Sequence, residues 1–221
     1  MHEQSLPKLP AESYIDAVVN PAIDHWSRLR CGSYTAEWVA KAIGIQQPSA
    51  NRLLRGPVWF DVFRPVFPGD MRRLFKSHGM SSIEVLLGEL SDEERLNWIK
   101  SEVAIEKRSP VLLIRTKTLH WIAIGGYDDL KRVFYIYDSM AGENSLRPDL
   151  PIGNAQLGYD ELLKMWRGRW FFKYVAITVT NVQVRDLKKE KIEAILAAYA
   201  RGELIQKLPG IDTEPTSAKE S

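Results

Sequence analysis

Three side chains of this 221-residue sequence have the chemistry needed for nucleophilic catalysis: the single cysteine, Cys31, together with His120 and Asp138. A thiol attacks well only as its thiolate, so it needs a base nearby, and the base needs a third group to fix its ring and tautomer. His120 opens the run His120-Trp121-Ile122-Ala123-Ile124, and Asp138 closes the run Val133-Phe134-Tyr135-Ile136-Tyr137. Both runs are rich in β-branched and aromatic residues, and Gly125, Gly126, Asp128 and Asp129 lie between them. The pattern predicts a β-hairpin with Gly125-Gly126 as a turn element. Asp129 stands midway between His120 and Asp138, so a hairpin folded there sets the two directly opposite. Opposed Cβ atoms on one sheet face are about 4.5–5.5 Å apart, which lets a carboxylate reach an imidazole nitrogen.

Cys31 belongs to a different element. Ala36, Val39, Ala40 and Ile43 recur with the spacing of one helix face, and Gly44 is a plausible stop. Cys31 therefore falls at or just before a helix N-terminus, where the dipole and unpaired N–H groups favour an anion. Arg28 and Arg30 add positive charge nearby, and Gly32 offers no side chain to block an approaching carbonyl. The common fate of a lone cysteine is burial in a core. A core thiol, however, has no reason to sit at a helix start beside two arginines and a glycine.

These residues need a core to hold them. With 45% hydrophobic and 26% charged residues, the chain has the composition of a globular protein. A formal net charge of +2 does not point to nucleic acid as a partner. One cysteine excludes an internal disulfide. No run approaches the roughly 18–20 apolar residues of a membrane span, and the polar start lacks the apolar segment of a signal peptide. The expected setting is the cytoplasm, or export without a cleavable signal.

Residues 1–11 read as a flexible lead, 12–205 as one domain and 206–221 as a disordered tail. Glu12 to Arg30 is weakly helical, broken by Pro21. Met71 to His78 is a short helix closed by Gly79, and Ser81 to Leu87 suggests another. Ser91-Asp92-Glu93-Glu94 is a capped start for a helix to about Glu106. Val111 to Ile114 and Trp170 to Val179 read as strands, Met140 to Leu157 as a loop, and Tyr159 to Trp166 and Asp186 to Leu204 as helices. Helices in the first half and strands in the second predict an α+β fold.

Arg52, Arg55, Arg64, Arg72, Arg73 and Lys76 make one region basic, read here as a solvated face. Trp166 and Trp170 read as core residues. His2, His25 and His78 form no H-E-x-x-H cluster, and no G-x-S-x-G is present.

The order Cys31-Gly32, then His120-Trp121 through Gly126-Tyr127-Asp128, then Tyr135-Ile136-Tyr137-Asp138-Ser139-Met140-Ala141-Gly142 resembles the papain-like cysteine peptidase superfamily. The closest pattern is the branch that processes double-glycine leaders of bacteriocins, with its stand-alone relatives. Arg108-Ser109-Pro110-Val111-Leu112-Leu113 resembles the strand that leads to the family's histidine, and the likeness covers about residues 20–180. The resemblance implies a helical N-terminal half carrying the nucleophile, packed on an antiparallel sheet that carries His and Asp. The leader-processing enzymes are usually fused to a transporter, which this chain lacks.

By that resemblance Cys31 would be the nucleophile, His120 the base and Asp138 its orienter, with the Cys31 backbone N–H in the oxyanion hole. The family's oxyanion glutamine, a few residues before the cysteine, has no counterpart here; His25, Trp26 and Ser27 stand in that stretch as candidate donors. The expected activity is cleavage of an amide bond in a peptide or protein through a thioester, with no metal or organic cofactor required. Glutamine deamidation, transglutaminase-like transfer and cell-wall amide hydrolysis would use the same triad. A degenerate domain that only binds a peptide is the non-enzymatic alternative, favoured by the missing glutamine.

Overall fold

In a computed structural model of the chain, the described residues are 9–16, 18–21, 30–45, 66–77, 79–141, 147, 149–168 and 172–180. Among them the elements run β1 (Glu12–Tyr14), α1 (Cys31–Ala42), α2 (Pro68–Ser77), β2 (Ser81–Leu86), α3 (Asp92–Ala104), β3 (Val111–Arg115), β4 (Leu119–Asp128), β5 (Val133–Tyr137), β6 (Ala155–Gly158), α4 (Tyr159–Trp166) and β7 (Val175–Thr180). This is a mixed fold of helices on an antiparallel sheet, as the α+β reading expects. The strand order is β2-β7-β3-β4-β5-β6, with β1 also paired to β4. The expected helix at 186–204 and the expected disordered tail lie outside the described residues, as do residues 1–8.

The centre of the sheet is β4. Its first half pairs with β3, from Leu119 against Arg115 to Ala123 against Val111. Its second half pairs with β1 on one edge and β5 on the other. Every residue of β4 after the first is buried, so both of its faces are covered. That is why its sequence shows a continuous apolar run rather than an alternation.

Three helices follow the sequence closely. In α1, Gly44 at φ 75° ends the helix, and its N–H donates to the Lys41 carbonyl. Burial is wider than the one predicted face, since Gly32 through Ala40 are all inaccessible. The reason is packing on two sides, against β4 and against α2. In α3, Ser91 and Glu94 form a reciprocal capping box, which satisfies two N–H groups that the helix itself leaves unpaired. α4 spans Tyr159–Trp166 as predicted, and the Trp166 indole donates to the Val175 carbonyl at 2.9 Å from a fully buried position. Trp170 lies outside the described residues.

Several expectations need correction. Glu12–Tyr14 is a strand, not the start of a helix, because Ser13 and Tyr14 pair with Tyr127 and Gly126 of β4. The predicted flexible lead is tied down at its end: the Pro10 carbonyl accepts from the Tyr127 hydroxyl at 2.9 Å, and the Ala11 carbonyl from the Asp129 N–H at 2.8 Å. Ser81–Leu86 is also a strand, paired along its whole length with β7. A local helical propensity was outweighed there by ladder partners distant in sequence. Ala155–Gly158, expected in a loop, pairs with β5 as β6. The last predicted strand begins only at Val175. The first half thus contributes two strands beside its helices. Of the basic region, the described Arg72 and Arg73 face Glu84 and Asp70 at 3.6 and 3.4 Å, on the exposed side of α2.

Candidate active site

Cys31 is the first residue of α1, and among the described residues no side chain caps that end of the helix. The Arg30 carbonyl accepts from Ser33 N and Tyr34 N at 2.9 and 3.2 Å, which closes the first turn around the cysteine. Cys31 as a residue is half-buried. Two contacts fix this helix end against the sheet. Thr35 Oγ1 donates to the Trp121 carbonyl at 3.1 Å, one residue past His120. The Trp121 indole donates to the Val66 carbonyl at 2.7 Å, and the Val66 side chain lies against Gly32, where a Cβ would sit 3.2 Å from it. The space left by Gly32 is therefore taken by Val66, a packing role where sequence reasoning expected room for a substrate.

His120, second residue of β4, is buried at 1% exposure. Its Nε2 lies 2.6 Å from Asp138 Oδ1. The same carboxylate oxygen accepts from the Met140 backbone N–H at 2.7 Å. Asp138 comes just after β5 ends, so its carboxylate turns back toward β4. The pairing is not the direct opposition that the sequence predicts. Ala123 faces Tyr137 and Ile124 faces Ile136, so this register, carried one residue past the end of β5, would set Asp138 opposite Ile122, two residues along β4 from His120. The turn is Asp129 to Arg132, centred past Asp129, and β4 bulges between Ile124 and Gly126. Gly125 and Gly126 are thus strand residues at a bulge and not the turn. A Cβ on Gly125 would press on Trp38 of α1 and on Ile152 at 3.1 Å, so this glycine lets the helix settle on the strand. A diagonal neighbour on one sheet face lies within reach of a long side chain, and His120 spans the offset.

With Nε2–H donating to Asp138, Nδ1 carries the lone pair of the neutral ring. Nδ1 is buried and has no aligned hydrogen-bond partner among the described residues. The group that couples to it is the Cys31 thiol, close enough for each to shift the other. Resting thiol–base contacts of this kind are commonly misaligned and tighten only around a substrate. Burial pushes the Cys31 thiol up, but His120, by contact and by charge, and the backbone N–H groups of Trp121 and Gly32 outweigh it and leave the thiol below its ordinary value. Burial alone would push His120 down; Asp138 and Cys31 together outweigh that and raise it to about 9. Opposite shifts in two touching groups favour the thiolate–imidazolium form of the pair.

The structure therefore brings together Cys31, His120 and Asp138. His25, Trp26 and Ser27, the candidate oxyanion donors, lie outside the described residues. Sequence reasoning missed Asn154. Its side chain, on a residue 2% exposed, accepts from Asp138 N and donates to the Asp138 carbonyl, both at 2.8 Å. The only signal in the sequence was Gly153-Asn154 at the edge of a loop. Among the described residues, no cluster of three or more His, Cys, Asp or Glu could hold a metal ion, and no helix is long and apolar enough to cross a membrane.

No protein-family model matches the sequence, and no curated protein matches it. Among solved structures, the chain is similar to the peptidase domain of Streptococcus ComA, a bi-functional ABC transporter involved in a quorum sensing pathway. That likeness has 16% identity and a TM-score of 0.44, over 74% of this chain and 97% of the other. It is also similar to a double glycine motif protease from an AMS/PCAT transporter, solved in complex with the leader peptide. There the identity is 11% and the TM-score 0.41, over 77% of this chain and 98% of the other. Neither likeness says which residues of this chain act.

Proposed function

We propose that this protein is a cysteine peptidase-like hydrolase that cleaves an amide bond in a peptide or protein substrate. One observation carries the reading: a buried imidazole held on one nitrogen by Asp138, with its other nitrogen left to a thiol at a helix start. A histidine kept for structure would have both nitrogens satisfied, because an unpaired buried polar atom costs about 1–3 kcal/mol.

The steps follow from these positions. His120 Nδ1 takes the Cys31 proton, and Asp138 steadies the imidazolium through Nε2–H. The thiolate adds to the substrate carbonyl, forming the S–C bond and placing negative charge on oxygen. The Cys31 backbone N–H, at the start of α1, is suited to receive that charge. The C–N bond then breaks as Nδ1–H protonates the leaving amine, which leaves a thioester on Cys31. Water adds to the thioester with its proton passing to His120, and release of the acid restores the thiol. Deamidation or acyl transfer to an amine would differ only in the departing and accepting groups.

The test is turnover of a mixed peptide library by wild type and by Cys31→Ala, with acid quench and mass spectrometry of the protein. Cleavage by wild type alone, with an acyl adduct on Cys31, is expected. Equal cleavage by both would refute the assignment.

A further inference from the structure

We propose that Asn154 is a positioning residue for Asp138, and that Asn20 ties it to the helix that carries Cys31. The inference rests on the hydrolase reading above and adds to it the groups that set the distance between the two halves of the site.

The Asn154 amide brackets Asp138 from both sides, with Oδ1 accepting from its N–H and Nδ2 donating to its carbonyl. An asparagine amide sets an acceptor oxygen beside a donor nitrogen, so it completes the backbone of Asp138 as a neighbouring strand would. It does so where the β5–β6 ladder has run out: the last pair is Ile136 with Ala155, and Asn154 N donates to the Ile136 carbonyl at 2.9 Å. Asp138 has left the strand but is held as firmly as a strand residue. That matters because its carboxylate must reach diagonally to His120.

The residue before Asn154 makes the link to the nucleophile. Gly153 has φ 76°, and a Cβ there would run into the Ile136 carbonyl. The Gly153 carbonyl accepts from Asn20 Nδ2 at 2.8 Å, and Asn20 Oδ1 accepts from the Trp38 indole N–H at 2.9 Å. Trp38 is a fully buried residue of α1, stacked on Tyr137 with centroids 5.9 Å apart. A chain of hydrogen bonds thus runs from α1 through Asn20 and the 153–154 corner to Asp138, and from there to His120. Cys31 and His120 sit on separate elements, and this chain sets them relative to one another through polar contacts outside the reacting atoms.

The experiment is the rate of Cys31 alkylation by iodoacetamide as a function of pH, read beside thermal unfolding, in wild type, Asn154→Ala, Asp138→Asn and the double variant. Asn154→Ala is expected to move the thiolate curve toward higher pH by about one pKa unit, which lowers the alkylation rate about tenfold on the acid limb of the curve. On the Asp138→Asn background, Asn154→Ala should change the curve no further, because its effect passes through Asp138. A lower unfolding temperature with an unmoved curve would show a merely structural residue and overturn the proposal; so would additive shifts in the double variant. If Asn154→Ala does not fold, Asn20→Ala keeps both bonds to Asp138 and releases the tether. A smaller shift in the same direction is then expected, and an unmoved curve overturns the relay. A wild-type thiol that titrates like a free one, unchanged in His120→Ala, would instead remove the hydrolase reading and this inference with it. A perturbed wild-type thiol with an unmoved Asn154→Ala curve removes only the positioning role.

Discussion

The two ends of β4 both gather charged and polar side chains, yet they differ in how completely those groups are paired. At the turn end, Asp129 accepts from the Lys100 ammonium at 2.6 Å and from the Tyr159 hydroxyl at 2.7 Å. Asp128 pairs with Lys131 Nζ at 2.9 Å and accepts from its backbone N–H at 3.0 Å. Lys100 also lies over the Tyr159 ring, 4.8 Å from its centroid. The polar groups named here all have partners. At the other end, His120 is as deeply buried as any core residue but has one nitrogen without an aligned partner among the described residues.

Perturbed ionisation occurs at both ends and so does not separate them. Burial, then the Asp129 hydrogen bond, pushes the Tyr159 hydroxyl well up. A hydrogen bond from Lys131 holds Asp128 below the usual carboxylate range. Such shifts accompany structural ion pairs as readily as catalytic ones. The contrast lies in the pairing: a finished network stabilises, whereas a buried imidazole whose second nitrogen is left to a thiol is arranged to exchange a proton with it.

That contrast can be broken by mutation, and the largest effect is expected at the site. Asp138→Asn keeps the shape of the side chain but removes the charge that holds the imidazolium, and should lower turnover by about 10²-fold or more. Steady-state kinetics on any substrate found in the library checks this, and a change under threefold would contradict it. Gly153→Ala comes next. Its clash with the Ile136 carbonyl and its left-handed φ should cost about 1–2 kcal/mol in denaturant unfolding, and should also slow Cys31 alkylation through Asn154. Smallest at the site is Lys100→Ala. Leaving Asp129 without its cation should cost about 1–2 kcal/mol of stability, while the alkylation curve stays in place. A moved curve in that variant would mean that the two ends are coupled.

The pH behaviour follows from the signs of the shifts. Cys31 ionises below its ordinary value, so the thiolate is lost only as pH falls through that lowered value. His120 is raised from 6.5 to about 9, so the imidazolium persists through neutrality and is lost as pH rises through about 9. The rate should therefore be bell-shaped, with its alkaline limb near pH 9. A rate still rising above pH 9.5 would contradict the pairing.

Much of the site was legible in the sequence because its parts carry strong local signals. A lone cysteine before a helical repeat, and histidine and aspartate at the ends of two β-rich runs, need no distant partner to be noticed. The Ser91 capping box and the Gly44 stop are likewise written within a few residues. The register was not legible. It depends on the bulge at Gly125, where Trp38 and Ile152 pack in the space that a side chain would otherwise fill, and on a turn centred past Asp129. β1 and β2 were misread because they become strands only through β4 and β7, partners distant in sequence. Asn154 and Asn20 gave no pattern at all, since a single asparagine in a polar stretch becomes meaningful only when the chain brings Asp138 and Trp38 to it.

The most direct test of the central claim is the pH dependence of Cys31 alkylation in wild type and His120→Ala. With one cysteine in the chain, all of the adduct reports on that residue. The account predicts a thiolate that forms well below the ordinary thiol value of about 8.5 in wild type and is lost in the variant. An ordinary or inert thiol, the same in both, would contradict it and leave a peptide-binding module on the same fold.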